Sequence, residues 1–397
     1  MSPQAGALFG FDLLWLVLAA HLLKYPAFEF GPRYAAATGE SLLAGYALVP
    51  GPKQWALWLF LGSTVLQGVG VLAGVVMISG TVLHTWTGIL SIEIDSVLLL
   101  GLVLLLLFAG GFGWLDNLNK VMMVILAVST ALAFFSSTPP PGAWISMVKP
   151  WIPAGSLVLV AAILGWMPTG IDVSVWHSFW TLEKLQRLDE KSGQRNAISR
   201  HRQLNLSLVD MRTGYCLSAV TALMFICLGA VHLGGRGEEL KGVQFVEAIC
   251  SAYTSILGSW MYHVFMLTAF FAMFSTTYAV IDGFSRAFSE TLAILRPDFL
   301  GKEDPRRYTY AGFVILSALF AAATLCTIGN PVTLVTIVAL ISLSVAPVLY
   351  ALNLFCVQHH IHGQDLRPAR ITVVLGWIGV GILFITLGVT VYTKFIG

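Results

Sequence analysis

Ten long apolar segments constrain this chain more than any other feature of its sequence. A helix that crosses a bilayer needs about 20 predominantly apolar residues, and ten such segments follow one another here. They cover residues 7–28, 54–79, 88–109, 114–135, 155–180, 206–233, 260–284, 308–328, 332–356 and 371–395. The sequence therefore predicts an all-α polytopic membrane protein, with residues 1–397 forming a single integral-membrane domain.

The composition agrees with this class and excludes others. Hydrophobic residues make up 57% of the chain and charged residues only 11%, against roughly 25% charged residues in soluble domains. A net charge of +2 gives no reason to expect nucleic acid as a partner. The phosphate-binding loop, the G-x-S-x-G elbow and the H-E-x-x-H motif are all absent from the sequence. We therefore expect a lipid-embedded protein that is not an enzyme.

Lys and Arg residues indicate the orientation, because cytoplasmic loops carry an excess of them. Most lie in loops on one side, among them 181–203, 286–307 and 357–370. This predicts a multi-pass protein of the cell inner (plasma) membrane with those loops in the cytoplasm and both ends of the chain outside. Because that arrangement of the ends is unusual, we expect the chain as given to lack a first helix.

Shorter segments between the spans have their own predictions. Residues 39–49 and 242–257 look like short helices at the membrane surface, and the polar segment 181–203 is a loop or short helix.

The fifth apolar segment is interrupted by the sequence Gly165-Trp166-Met167-Pro168-Thr169-Gly170-Ile171-Asp172. Pro168 removes a backbone donor, and the two glycines weaken a helix further. In hydrocarbon, the freed carbonyls are tolerated only in a protein interior or a watery cavity. A break beside a carboxylate is therefore a candidate solute or ion site; the alternative is a plain proline kink.

Met167 gives the break a specific chemistry. A thioether ligates soft or borderline transition metals, whereas magnesium and calcium prefer oxygen. Unwound carbonyls beside Met167 would complete such a metal shell.

Three further carboxylates lie in or beside the apolar segments. Glu93 and Asp95 lie in the third segment, and Asp282 lies in the seventh. Such groups normally face the interior of a bundle or water, so they are candidates for a proton pathway or for buried polar contacts. Glu93 and Asp95 are two residues apart and point to different faces of a helix; an internal ion pair is the alternative for Glu93.

Several stretches resemble the Nramp (natural resistance-associated macrophage protein) family of divalent metal transporters. Met167-Pro168 at a broken helix is similar to the family's sixth helix, and residues 6–15 resemble the junction of its first and second helices. Residues 24–26 and 31–35 resemble the end of the second helix in a divergent bacterial branch. The likeness covers essentially the whole chain, whose spans match ten of the family's eleven helices, from the second to the eleventh.

The resemblance implies a LeuT-type (APC superfamily) fold of two inverted five-helix repeats that carries manganese, iron or similar ions, usually with protons. It implies that Met167 and the carbonyl of Leu164 bind the metal, and it places Thr169 where the family motif has His. Asp172 is not part of that motif and would add charge or take part in proton movement. The metal is then substrate, with no permanently bound cofactor. The family's Asp-Pro-Gly-Asn motif is absent from this sequence.

The leading prediction is thus a secondary active transporter of divalent metal cations that is coupled to protons. One alternative is another LeuT-fold symporter, for amino acids or organic cations. A second is a non-transporting membrane scaffold or sensor derived from a transporter.

Overall fold

The computed structural model describes residues 1–109, 112–192, 199–234, 242–297, 305–325, 327 and 330–395, and no strand occurs among them. They form fourteen α-helices, joined by a 3-10 helix at Pro141–Met147 and a π-helical turn at Gly229–Leu233. The helices are α1 Ser2–Phe9, α2 Leu14–Thr38, α3 Leu42–Ala47, α4 Trp55–Thr87, α5 Ile92–Ala109, α6 Phe112–Ser136, α7 Leu157–Trp166, α8 Val173–Ser192, α9 Arg200–Leu228, α10 Val243–Leu257, α11 Met261–Leu295, α12 Pro305–Leu325, α13 Pro331–His359 and α14 Arg370–Phe395.

Every predicted span corresponds to a helix or to a pair of helices. Eight helices within the described ranges are long and apolar enough to cross a membrane. The other two predicted spans are α2, which is less apolar because it carries Lys24, Glu29 and Arg33, and the interrupted pair α7 and α8. The polytopic all-helical prediction is therefore confirmed.

Several boundaries differ from the prediction, since α4 runs on to Thr87 and α11 to Leu295, eight and eleven residues beyond the predicted ends of their spans. The first span divides at Gly10, where a positive φ of 58° ends α1, and α2 then continues past the predicted end at Phe28 to Thr38. The polar segment 181–203 was predicted to be a loop or short helix, and its first half is helical, because α8 runs on to Ser192. The rest of that segment includes residues 193–198, and segment 286–307 includes residues 298–304, which lie outside the described residues.

The two predicted short helices are present as α3 and α10.

Close backbone contacts place α2 at the centre of the bundle. A side-chain carbon on Gly31 would lie 2.0 Å from the carbonyl oxygen of Ser174 in α8, so only glycine allows this approach. α1 meets the end of α9 and the π-helical turn in the same way, since a carbon on Gly6 would lie 2.1 Å from the Ile226 oxygen of α9 and one on Gly229 of the turn would lie 2.2 Å from the Pro3 oxygen. Small residues of this kind allow membrane helices to pack tightly.

A buried ion cluster joins the second half of α2 to its neighbours. Glu29 is 1% exposed and accepts hydrogen bonds from Arg33 (Nη2 to Oε1, 2.7 Å), Tyr25 (2.5 Å) and Arg212 of α9 (3.2 Å). Arg33 also donates to the carbonyl of Leu366, 2.7 Å away, in the segment before α14. α2 is thus tied to α9 and to the start of α14.

Candidate functional site

The interrupted helix opens between α7 and α8, and we refer to residues 167–172 as the break segment. The last helical hydrogen bond of α7 runs from the Met167 N–H to the Ile163 oxygen at 2.8 Å, and Met167 itself is extended, with φ −98° and ψ 131°. Pro168 has no N–H, so the Leu164 carbonyl four residues earlier loses its helical partner. The sequence prediction of a helix break at this position is therefore correct.

A lysine from α2 enters the break. The Lys24 side chain is fully buried, and its Nζ donates to the carbonyl oxygens of Gly165 (3.0 Å), Met167 (3.1 Å) and Thr169 (3.0 Å). A protonated amine has three N–H donors, one for each of these three oxygens, so the geometry matches an ammonium ion. A positive charge therefore lies at the centre of the unwound backbone.

Two tyrosines hold α2 in position around Lys24. The Tyr350 hydroxyl of α13 donates to the Leu23 carbonyl at 2.7 Å, and the Tyr215 hydroxyl of α9 donates to the His21 carbonyl at 2.6 Å. Both acceptors lie within three residues of Lys24 in the sequence, so α9 and α13 together fix the turn of α2 that carries the ammonium.

The Asp172 carboxylate lies at the far end of the break segment. Its side chain is 4% exposed. Gly170 leaves room for this carboxylate, because a carbon on Gly170 would lie 2.3 Å from Asp172 Oδ1 and 2.9 Å from the Ser342 Oγ of α13. The Ser342 hydroxyl is buried and has no hydrogen-bond partner among the described residues.

The predicted metal-binding residues sit on this break. Met167 is 8% exposed, and Met167 and Leu164 both belong to the main apolar core. Thr169 is half-buried and lines a cavity of about 460 Å³ together with Pro168. The structure thus brings Met167, Leu164, Thr169 and Asp172 to one interruption, between α2 and α13.

The cavity lies between α2, α8 and α9 and connects the break to the polar end of α8. Besides Pro168 and Thr169, it is lined by Lys184 and Asp210, which form an exposed ion pair at 2.7 Å. These two residues lie in the halves of α8 and α9 that adjoin the polar segment 181–203. The cavity therefore extends from the break toward that segment.

Among the residues that the structure describes, no three His, Cys, Asp or Glu side chains are grouped in a way that could hold a metal ion. A cation in the break would therefore depend on carbonyl oxygens, the Met167 thioether and the single carboxylate of Asp172.

The other predicted carboxylates lie elsewhere in the bundle. Glu93 and Asp95 are in the first turn of α5, where Glu93 is exposed and Asp95 is buried with one oxygen unpartnered among the described residues. Asp282 of α11 accepts from Arg286 at 2.9 Å and from Tyr310 at 2.7 Å. Its partners come from α11 and α12, so it belongs to a polar network between those helices.

Sequence reasoning missed the role of Lys24. The first span was drawn to end at Phe28, which put Lys24 near its end, whereas α2 continues to Thr38 and Lys24 is central. A lysine within the apolar run Leu22-Leu23-Lys24-Tyr25 was the available signal, because ionisable residues inside membranes are rare and usually functional.

The family follows from comparison with known proteins. The sequence profile described as "Natural resistance-associated macrophage protein-like" (Nramp) matches residues 2–393. The chain belongs to the Nramp family. This membership confirms the predicted resemblance and the predicted class, a family of divalent metal cation transporters rather than enzymes.

Nramp relatives align over different shares of the chain. An uncharacterized protein of Pasteurella multocida is 30% identical over 382 residues, which is 92% of this chain and 83% of that protein. The "Divalent metal cation transporter MntH" of Chromohalobacter salexigens is 27% identical over 245 residues, 59% of this chain and 53% of the relative.

Solved structures confirm the predicted fold. The crystal structure of a mutant of the Eremococcus coleocola manganese transporter superposes with a TM-score of 0.69 at 13% identity, covering 99% of this chain and 82% of the other. The transporter Mhp1 of the nucleobase-cation-symport-1 family, in a closed conformation, gives a TM-score of 0.58 at 16% identity over 100% of this chain and 89% of the other. The Nramp chain therefore has the LeuT-type fold.

Proposed function

We propose that this Nramp chain is a secondary active transporter that binds manganese, iron or a similar divalent cation at the break segment. The observation that carries the proposal is the buried Met167 thioether at the end of α7, where Pro168 leaves the Leu164 carbonyl without its helical partner. A thioether favours borderline transition metals. The names of the MntH relative and of the Eremococcus transporter, both metal transporters, support this cargo.

In this proposal each residue of the break has a separate role. Met167 supplies the soft ligand and Leu164 a carbonyl oxygen, while Asp172 supplies negative charge. Thr169 lies where the ion enters the cavity that is also lined by Lys184.

Proton coupling is a further part of the proposal. Asp172 is the proposed carrier because it is buried in the break; Asp95, Asp282 and the exposed Glu93 are secondary candidates. We also propose that residues 1–397 act as one membrane domain in the inner (plasma) membrane, with loops 181–203, 286–307 and 357–370 in the cytoplasm.

Replacing the thioether is the direct test. We expect Met167→Leu to weaken the apparent affinity for Mn²⁺ and Fe²⁺ about tenfold or more, because loss of even an outer-shell partner costs a metal site roughly that much. The measurement is initial uptake into proteoliposomes over a range of ion concentrations.

Met266→Leu is the matched control, since Met266 is also buried, at 0% exposed, but belongs to a separate core cluster that includes Val82 and Tyr253. Volume-conserving exchanges of this kind cost less than about 1.5 kcal/mol in stability, so both variants should fold. If Met167→Leu takes up both ions as wild type does, the thioether is not a ligand.

A further inference from the structure

The break segment already contains a cationic group, because the Lys24 ammonium lies within it. Its ammonium already uses three carbonyl oxygens, those of Gly165, Met167 and Thr169, at 3.0–3.1 Å. A divalent cation that used these oxygens would need them at about 2.0–2.6 Å. The ammonium and such a cation therefore cannot share the same oxygens.

The position of the ammonium is fixed by the fold. Its side chain is fully buried, and the α2 backbone next to it is held by the hydroxyls of Tyr350 and Tyr215. Displacing Lys24 from the break would leave a buried charge without acceptors, which is costly. The fold thus holds the Lys24 ammonium permanently in the break.

The charges of Lys24 and Asp172 also indicate that the break disfavours a divalent cation while Lys24 is protonated. With Lys24 protonated and Asp172 ionised, the break carries one positive and one negative charge, both on buried side chains. A divalent cation added to this arrangement raises the net charge of a buried site to +2. Without the lysine charge, the three carbonyl oxygens would be released and the Asp172 carboxylate would remain as the charge of the break segment.

We propose that Lys24 is a specificity-determining residue that acts as a built-in cation, occupying three carbonyl oxygens of the break and lowering its affinity for divalent cations. This proposal rests on the proposed function, because it assumes that the cargo binds at the break segment. It predicts that the wild-type break binds divalent cations weakly and that removal of the Lys24 charge makes this binding tighter.

The test is Mn²⁺ binding to the purified full chain, measured by titration calorimetry with MnCl₂. Lys24→Gln removes the charge but keeps an amide that can donate two hydrogen bonds to the carbonyls. We expect it to bind Mn²⁺ about tenfold more tightly than wild type. Lys24→Arg keeps the charge and is expected to show no such gain.

A double variant identifies the origin of the gain. Adding Asp172→Asn to Lys24→Gln removes the carboxylate that the cation would meet, so the tenfold gain should disappear. A gain that survives in the double variant would overturn the charge-balance argument, as would a folded Lys24→Gln protein that binds Mn²⁺ no more tightly than wild type.

The single variant Asp172→Asn keeps Lys24, so it stays informative even when Lys24→Gln does not fold. It leaves the ammonium without its counter-charge and should weaken Mn²⁺ binding about tenfold; unchanged binding would contradict the proposal.

Uptake measurements distinguish failure of this proposal from failure of the proposed function. If wild type transports Mn²⁺ and Lys24→Gln binds no more tightly, only the role of Lys24 fails, whereas absence of both binding and uptake in both proteins refutes the cargo.

Discussion

Replacing Glu29 with alanine is expected to lower the free energy of unfolding by about 3–5 kcal/mol, the usual cost of removing one partner from a buried ion pair. Glu29 is 1% exposed and is the counter-charge of Arg33, with 2.7 Å between Oε1 and Nη2. It also accepts the hydroxyl of Tyr25 and the guanidinium of Arg212. Chemical denaturation of the detergent-solubilised protein measures the change.

Lys184→Ala is the control for this prediction. Lys184 and Asp210 form an ion pair of the same length, 2.7 Å, but their side chains are 49% and 67% exposed. Exposed pairs contribute about 0–1 kcal/mol, so the free energy of unfolding of this variant should be close to that of the wild type. Equal losses from Glu29→Ala and Lys184→Ala would show that the α2 cluster is not a buried structural element.

Gly165→Ala is expected to destabilise the protein by about 1–3 kcal/mol, the range found for overpacked interiors, and to abolish most uptake. The added carbon would lie 2.4 Å from the Ala339 carbonyl oxygen and 3.0 Å from the Leu343 side chain. α7 must then move away from α13, and this movement shifts the Gly165 carbonyl that accepts from Lys24. Thermal melting and Mn²⁺ uptake report the two effects.

A second helical glycine separates crowding from helix propensity. Gly101 of α5 has open space where a side chain would project, so Gly101→Ala should be neutral or stabilising by up to about 1 kcal/mol, because alanine favours a helix. If Gly165→Ala behaves like Gly101→Ala, the close packing of α7 against α13 does not position the break.

The membrane spans could be predicted because what a span requires, a sufficient length of apolar residues, is a property of one continuous segment. About 20 apolar residues are needed to cross a bilayer, whatever surrounds them, and the break follows from Pro168, which cannot donate a backbone hydrogen bond. Both features can be recognised within a single segment. This explains why the helices of the described residues match the predicted spans.

The length of α2 was not predictable in the same way. The sequence Glu29–Arg33 is typical of the polar end of a span. Both charges are nevertheless buried, because Glu29 pairs with Arg33 and also with Arg212 of α9. That pairing joins residues 183 positions apart in the chain, so hydropathy alone cannot reveal it. The same misplaced end hid Lys24 from the predicted site.

The extension of α8 has a simpler cause. Its polar residues include the pair Glu183 and Arg187, four residues apart with 2.6 Å between their charged groups. Such i,i+4 pairs stabilise an exposed helix, so the helix continues where hydropathy indicated a possible loop.

Binding of a divalent cation at Met167 in the break segment is tested most directly by anomalous diffraction. The crystals are those of the full chain soaked with Mn²⁺, for wild type and for Lys24→Gln. We expect an anomalous peak within coordination distance of the Met167 sulfur and the Leu164 oxygen, stronger in Lys24→Gln. A well-occupied Mn²⁺ peak elsewhere in the bundle, with none beside Met167 in either protein, would contradict binding at the break.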